Sequence, residues 1–182
     1  MGYSHYYGRR RDVPAPADAY GRWALDAKAI IAKAEEHGIR IAGWDGGREA
    51  AWPEITEGYV SLNGWGDESC ETFRWDAEVP ANPEWVDADD DYSWFVKTRQ
   101  RPYDAVVVAL LLRLKHYYGD HVVISSDGSW NEYPYDYTWV DYKGETQREV
   151  GVEPGWTLGR ALYREVFGED APCPWSAFVG ER

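Results

Sequence analysis

The sequence predicts an α+β fold of two layers: a mixed, mostly antiparallel sheet with helices packed on one face, plus an aromatic β-hairpin. Three observations predict it. The hydrophobic periods run strand, helix, three strands, helix, strand, hairpin, helix, an order that builds a sheet with helices segregated to one side. The eight residues Ala105 to Leu112 are all apolar, far short of the ~20 that cross a bilayer, so they mark a helix buried in protein. At 182 residues, one domain spanning 1–182 buries a substantial core without disulfides or metals.

Taken in order, Tyr3 to Arg9 alternates as a strand that puts Tyr3, His5 and Tyr7 on one face. After the breaker Val13-Pro-Ala-Pro16, a helix is expected from about Asp18 to His37. Trp23, Ala27, Ile30, Ile31 and Ala34 form its stripe and Gly38 closes it. Strands follow at Ile39 to Trp44, Tyr59 to Trp65 and Glu71 to Trp75, with Asp45-Gly-Gly47 as a turn and Gly66-Asp-Glu68 as a hairpin connection. Residues 67–93 read as an acidic, solvated excursion, since Asp67 to Asp91 holds ten acids against one base. The central helix runs from a start at Pro102 to a stop at Gly119. His121 to Ser126 is a strand that empties into Asp127-Gly128. Tyr135 to Tyr142 and Glu145 to Val150 form the hairpin. A last helix carries Leu158, Ala161, Leu162 and Val166 on one face up to Gly168, and the tail 169–182 is irregular.

The formal charge of −13 argues against direct nucleic-acid binding, which draws on clustered Lys and Arg. Nothing resembles a signal peptide, and Cys70 and Cys173 fit no ligand spacing, so reduced thiols and a cytoplasmic setting are expected. The 11 Trp and 14 Tyr against 4 Phe favour aromatic rings with a polar handle, suited to ligand pockets and to ordinary cores alike. No cofactor motif is present: the phosphate loop, the dinucleotide glycines, the zinc-protease helix and the serine-hydrolase elbow are all missing. Asp87-Ala-Asp-Asp-Asp91 begins like a calcium loop but lacks its glycine and its closing glutamate. No catalytic residue and no metal site is assigned, and the oligomeric state is not legible.

The most specific cluster is Lys97-Thr98-Arg99-Gln100-Arg101, directly before the central helix. Cations beside the positive end of a helix dipole require a compensating anion. Either the chain supplies it, from Asp104 or from Asp87 to Asp91, or a ligand does, held by Lys97, Thr98, Arg99, Arg101 and the first backbone N–H groups. The expected ligand site therefore comprises Lys97, Thr98, Arg99, Arg101 and Tyr103, with a wall from His5, Asp45 or Asp127. His5 also reads as a hydrogen-bonded structural residue, and Asp45 and Asp127 as turn residues before glycine. His37, His116 and His121 read as caps or surface.

The order Gly2-Tyr-Ser-His-Tyr-Tyr7, Gly43-Trp-Asp-Gly46, Leu62-Asn-Gly-Trp-Gly66 with Glu71-Thr-Phe73, Phe95-Val-Lys-Thr-Arg99, Arg101-Pro-Tyr-Asp104 and Ser125-Ser-Asp-Gly128 with Trp130 resembles a family of small proteins encoded by tailed bacteriophages that open Met-Gly-Tyr-Thr-His-Tyr. Ser4 stands where that pattern usually has threonine and Val96 where a cysteine is common, and against it residues 133–152 look like an inserted aromatic β-hairpin. The resemblance implies a phage accessory protein acting in the host cytoplasm, and assigns no catalytic residue. The functional expectation is a non-enzymatic protein that binds a small anionic, nucleotide-like ligand or a host factor. Two alternatives stand beside it. One is a metal-assisted phosphohydrolase, with Asp45, Glu71 and Asp127 as ligands and Lys97 or Arg99 as clamp. The other is an acidic inhibitor that binds a host protein through the 67–91 excursion.

Overall fold

The computed structural model describes residues 3–44, 52–79, 92–140, 142–153 and 155–175. Asp45, the calcium-like run Asp87 to Asp91 and the end of the tail lie outside them. The class is α+β. The elements are β1 (Ser4–Arg9), α1 (Ala19–Glu36), β2 (Ile41–Ala42), β3 (Glu54–Ile55), β4 (Tyr59–Gly64), β5 (Phe73–Asp76), β6 (Tyr92–Lys97), α2 (Asp104–Tyr118), β7 (Val122–Ser126), β8 (Tyr133–Val140), β9 (Thr146–Glu153) and α3 (Thr157–Phe167).

Helix α2 is the axis. Ten of its fifteen residues are buried, including every one from Ala105 to Leu112, so that run has no solvent stripe and must be covered on all sides. Helices α1 and α3 pack against it and against each other. The stripe expected on α1, Trp23 to Ala34, is buried as drawn, and the Trp23 indole N–H donates to the Leu110 carbonyl at 3.1 Å. Gly159 lets α3 approach closely, because a Cβ there would collide with Val108.

The β-structure falls into three sheets, and every pairing of named strands is antiparallel. In the first, β1 lies between β6 and β7, with His5 opposite Val96 on one side and Ser126 on the other. In the second, β4 pairs with β2, β3 and β5. Side chains join these two sheets where no ladder does. Tyr7 packs at a tilt against Phe73, 5.2 Å between ring centres, and donates its hydroxyl to the Arg74 carbonyl at 3.0 Å, while buried Arg9 lies 4.2 Å over the Trp75 ring.

The third sheet is the hairpin β8–β9, whose main contacts are between its own strands. Its exposed apolar residues include Trp139, Val140, Val150 and Val152. At its base Ser129 bridges to Gly155, and Trp156 N–H donates to the Ser129 carbonyl at 3.1 Å.

Several sequence expectations need correction. Strand β6 lies inside the span read as a solvated excursion and a basic linker. Its alternation, Trp94 and Val96 inward against Ser93 and Phe95 outward, is short and follows an acidic run that dominates the local composition. The strand expected at Glu71 to Trp75 stands as β5, within the span also read as acidic excursion, and the expected hairpin connection Gly66–Glu68 is a 3-10 turn on the way from β4 to its antiparallel partner β5. His121 was read as cap or surface, yet it is buried, with Nδ1 2.5 Å from the Val13 carbonyl and its ring stacked on Tyr118. Residues 169–175 of the tail hold no helix or strand, and Trp175 packs edge-on to Trp156 at 4.9 Å. Cys70 and Cys173 are both free.

Candidate functional site

The central position of β1 determines what meets above the start of α2. Its inward face carries Tyr3, His5, Tyr7 and Arg9, all buried, and the first two rings meet edge to face at 5.2 Å. On one flank the chain leaves β6 through Thr98, whose N–H donates to the Tyr3 carbonyl at 3.0 Å, and the Arg99 N–H shares that acceptor at 3.2 Å. On the other flank, Asp127 continues the ladder past β7. Its N–H donates to the Ser4 carbonyl, and its carboxylate accepts the Ser4 N–H, both at 2.9 Å.

Fully buried His5 therefore sits between Asp104 in the first turn of α2 and Ser126 at the end of β7. Nε2 is 2.8 Å from Asp104 Oδ1, and Nδ1 is 2.9 Å from Ser126 Oγ. Thr98, also fully buried, donates its hydroxyl to the same Asp104 oxygen. Ser126 Oγ accepts two further hydrogen bonds, from Gly128 N–H at 2.9 Å and from the Trp156 indole N–H at 3.2 Å. A hydroxyl oxygen has two lone pairs and one hydrogen. Both lone pairs of Ser126 are taken, so its hydrogen goes outward to a lone pair: His5 Nδ1 at 2.9 Å, in preference to the Ser4 carbonyl at 3.4 Å. The His5 ring thus carries its hydrogen on Nε2 and donates it to Asp104.

The result is a Ser–His–Asp chain whose chemistry differs from that of an activated nucleophile. The base polarises the Ser126 hydroxyl, but the lone pairs needed for attack are occupied by N–H donors. The network holds β1, β7, the start of α2 and the start of α3 in register, which is work that a low-dielectric, fully satisfied polar network does well. Gly128 belongs to it through space: a Cβ there would run into the Tyr3 ring, so glycine is required by that close approach, whereas its backbone is not left-handed.

The sequence-expected site residues divide. His5 and Thr98 meet at Asp104. Tyr103 is fully buried and turned inward, donating its hydroxyl to the Glu71 carbonyl at 2.8 Å, and its burial, together with the Cys70, Asp104 and Glu71 charges, holds that hydroxyl far above the ordinary tyrosine range. Asp127 is engaged by β1. Lys97 is half-buried and Arg99 and Arg101 are exposed, and among the described residues none of the three makes an ion pair. Arg99 and Gln100 hold left-handed backbones at φ 53° and 57°, a conformation that non-glycine residues adopt at a cost and that turns this loop abruptly into α2.

Of the carboxylates expected for a metal, Glu71 accepts the Lys97 backbone N–H at 2.8 Å and Asp127 accepts that of Ser4. Among the described residues no group of three or more His, Cys, Asp or Glu is placed to hold a metal ion. Ser126 is the central residue that sequence reasoning missed. Its signal was the segment Ser125-Ser-Asp-Gly128, read only for its turn. No known protein family, curated protein or solved structure matches the chain. Among the described residues, no helix is long and apolar enough to cross a membrane.

Proposed function

We propose that this chain is a non-enzymatic phage accessory protein that captures a small anionic ligand with Lys97, Arg99 and Arg101, above the N-terminus of α2. The observation that carries the reading is an imbalance of charge. The carboxylate nearest that helix end, Asp104, is turned inward to His5 and Thr98, and three cations of a chain with net charge −13 make no ion pair among the described residues beside a positive helix end. The sequence resemblance supports the phage setting and the cytoplasm of an infected cell. The absence of an available nucleophile in the Ser126 network supports a binding role over catalysis.

The test is thermal unfolding in the presence of inorganic phosphate, nucleotides and cyclic nucleotides. At 100 times Kd, a ligand adds about 2.7 kcal/mol. That raises Tm by several degrees in a chain of this size, and Lys97→Ala and Arg99→Ala should each reduce the shift. If no anion stabilises the protein, the reading is wrong. A second reading, docking on a host protein, is favoured by the hairpin β8–β9, because a two-stranded hairpin is marginal alone and this one leaves apolar side chains uncovered. Deleting it should then abolish capture of the host partner without unfolding the rest.

A further inference from the structure

A groove of about 480 Å3 opens between the end of α1, the start of α2 and the face of α3. That volume is within the ~300–1,000 Å3 of small-molecule sites. Its walls are aliphatic: Ile39, Pro102 and Ala105 on one side, Leu158, Ala161 and Leu162 on the other. Leu158 is 72% exposed, an apolar side chain standing open at the rim. The polar groups in the lining are Gln100, from the loop between β6 and α2, and the pair His37 and Glu165, which bind each other at 2.7 Å. Arg101 lies between the lining residues Gln100 and Pro102, and Arg99 comes just before them. Arg99 and Arg101, which make no ion pair among the described residues, thus share one short loop with the groove.

We infer that the groove takes the alkyl chain of a single-chain amphiphile whose anionic head group, a phosphate or carboxylate, lies on Arg99 and Arg101. The inference rests on the anion-binding reading above and narrows its ligand class. A nucleobase wants an aromatic face to stack on, and the rings of Tyr103 and Trp156 nearby are fully buried. The walls offered here are methyl and methylene groups, which favour a flexible chain. The polar lining agrees: the Glu165 carboxylate is taken up by its contact with His37 at 2.7 Å, and the nearest cations in the chain, Arg99 and Arg101, make no ion pair among the described residues.

The experiment is calorimetric titration of the intact protein with octyl phosphate below its micelle concentration, against inorganic phosphate, octanol and adenosine monophosphate. Octyl phosphate should bind at least about tenfold tighter than inorganic phosphate, the gain from burying roughly two methylene groups. Leu158→Asp adds an acid at the start of α3, where it suits the helix and leaves the fold intact. It should remove that gain and leave phosphate binding unchanged, as should Ala161→Trp, which fills the groove. Arg99→Gln with Arg101→Gln should weaken both anions. Four results would overturn the inference while sparing the anion-binding reading: octyl phosphate no tighter than phosphate, adenosine monophosphate tighter than octyl phosphate, Leu158→Asp without effect, or binding seen only to anionic phospholipid vesicles. If neither phosphate nor octyl phosphate binds, both readings fall.

Discussion

Replacing Ser126 with alanine removes one oxygen and strands three partners. His5 Nδ1 loses the hydroxyl that it accepts, while the Gly128 N–H and the Trp156 indole N–H lose their acceptor. His5, Gly128 and Trp156 are all buried, and a buried polar group left without a partner costs about 1–3 kcal/mol. Ser126 itself is only half-buried, so water restores part of the loss, and the expected destabilisation is about 3 kcal/mol, the lower end for three groups. In a chain of this length that lowers Tm by roughly 6–12 °C. Urea unfolding at neutral pH measures it, with Ser125→Ala as the exposed control expected to stay within about 0.5 kcal/mol of the parent. Nitrogen chemical shifts of the His5 ring in the parent protein should show Nε2 carrying the hydrogen and Nδ1 bare. A loss under about 1 kcal/mol, or a His5 ring protonated on Nδ1 alone, would refute the assignment of donors and acceptors around Ser126.

Other outcomes follow from the same geometry. A fluorophosphonate reagent should leave Ser126 unlabelled, since both of its lone pairs are occupied; labelling that disappears in Ser126→Ala would make this a catalytic serine. Two glycine substitutions should act in opposite directions under urea. Gly21→Ala, on α1 with open space around it, stabilises by about 0.5–1 kcal/mol, and Gly159→Ala, facing Val108, destabilises by about 1–3 kcal/mol. Burial holds the Tyr7 and Tyr103 hydroxyls above the ordinary value of 10, so in alkali the unfolded chain gives up these protons first. Their contribution is complete below pH 10 and is lost as pH rises beyond it, by up to about 1.4 kcal/mol per pH unit for each tyrosine. Tyr7→Phe should flatten that decline, and an unchanged slope would show that Tyr7 titrates normally.

The helices were legible because each signal is local. The stripe of α1 repeats within one element, and the apolar run of α2 admits no reading but burial on all sides. The inward set Tyr3, His5 and Tyr7 was legible for the same reason, since alternation assigns faces without reference to any partner. Asp104 reads from the sequence as a counter-charge for the Lys97 to Arg101 cluster, but it bonds His5 and Thr98 instead. What the sequence did not disclose is pairing at long range. Ser126 lies 121 positions from His5, and its role exists only because β1 sits between β6 and β7. The buried state of His121 likewise depends on the distant Val13 carbonyl. Strand β6 was hidden by composition, its few alternating residues following a run of acids that reads as solvated.

The bridge between Ser129 and Gly155 gives the hairpin a further property. The chain leaves the body and returns to it at one pinned point, where Arg160 also clamps the Trp130 carbonyl and the Asn131 side chain, each at 3.1 Å. Anything carried between these two ends transmits little strain to the rest, because the closure is made below it. Loop-closure entropy grows only as the logarithm of length, about 0.6 kcal/mol for each doubling. The site is therefore a permissive graft point, where a fluorescent domain or an affinity peptide can be spliced in while the His5 network beneath it stays closed.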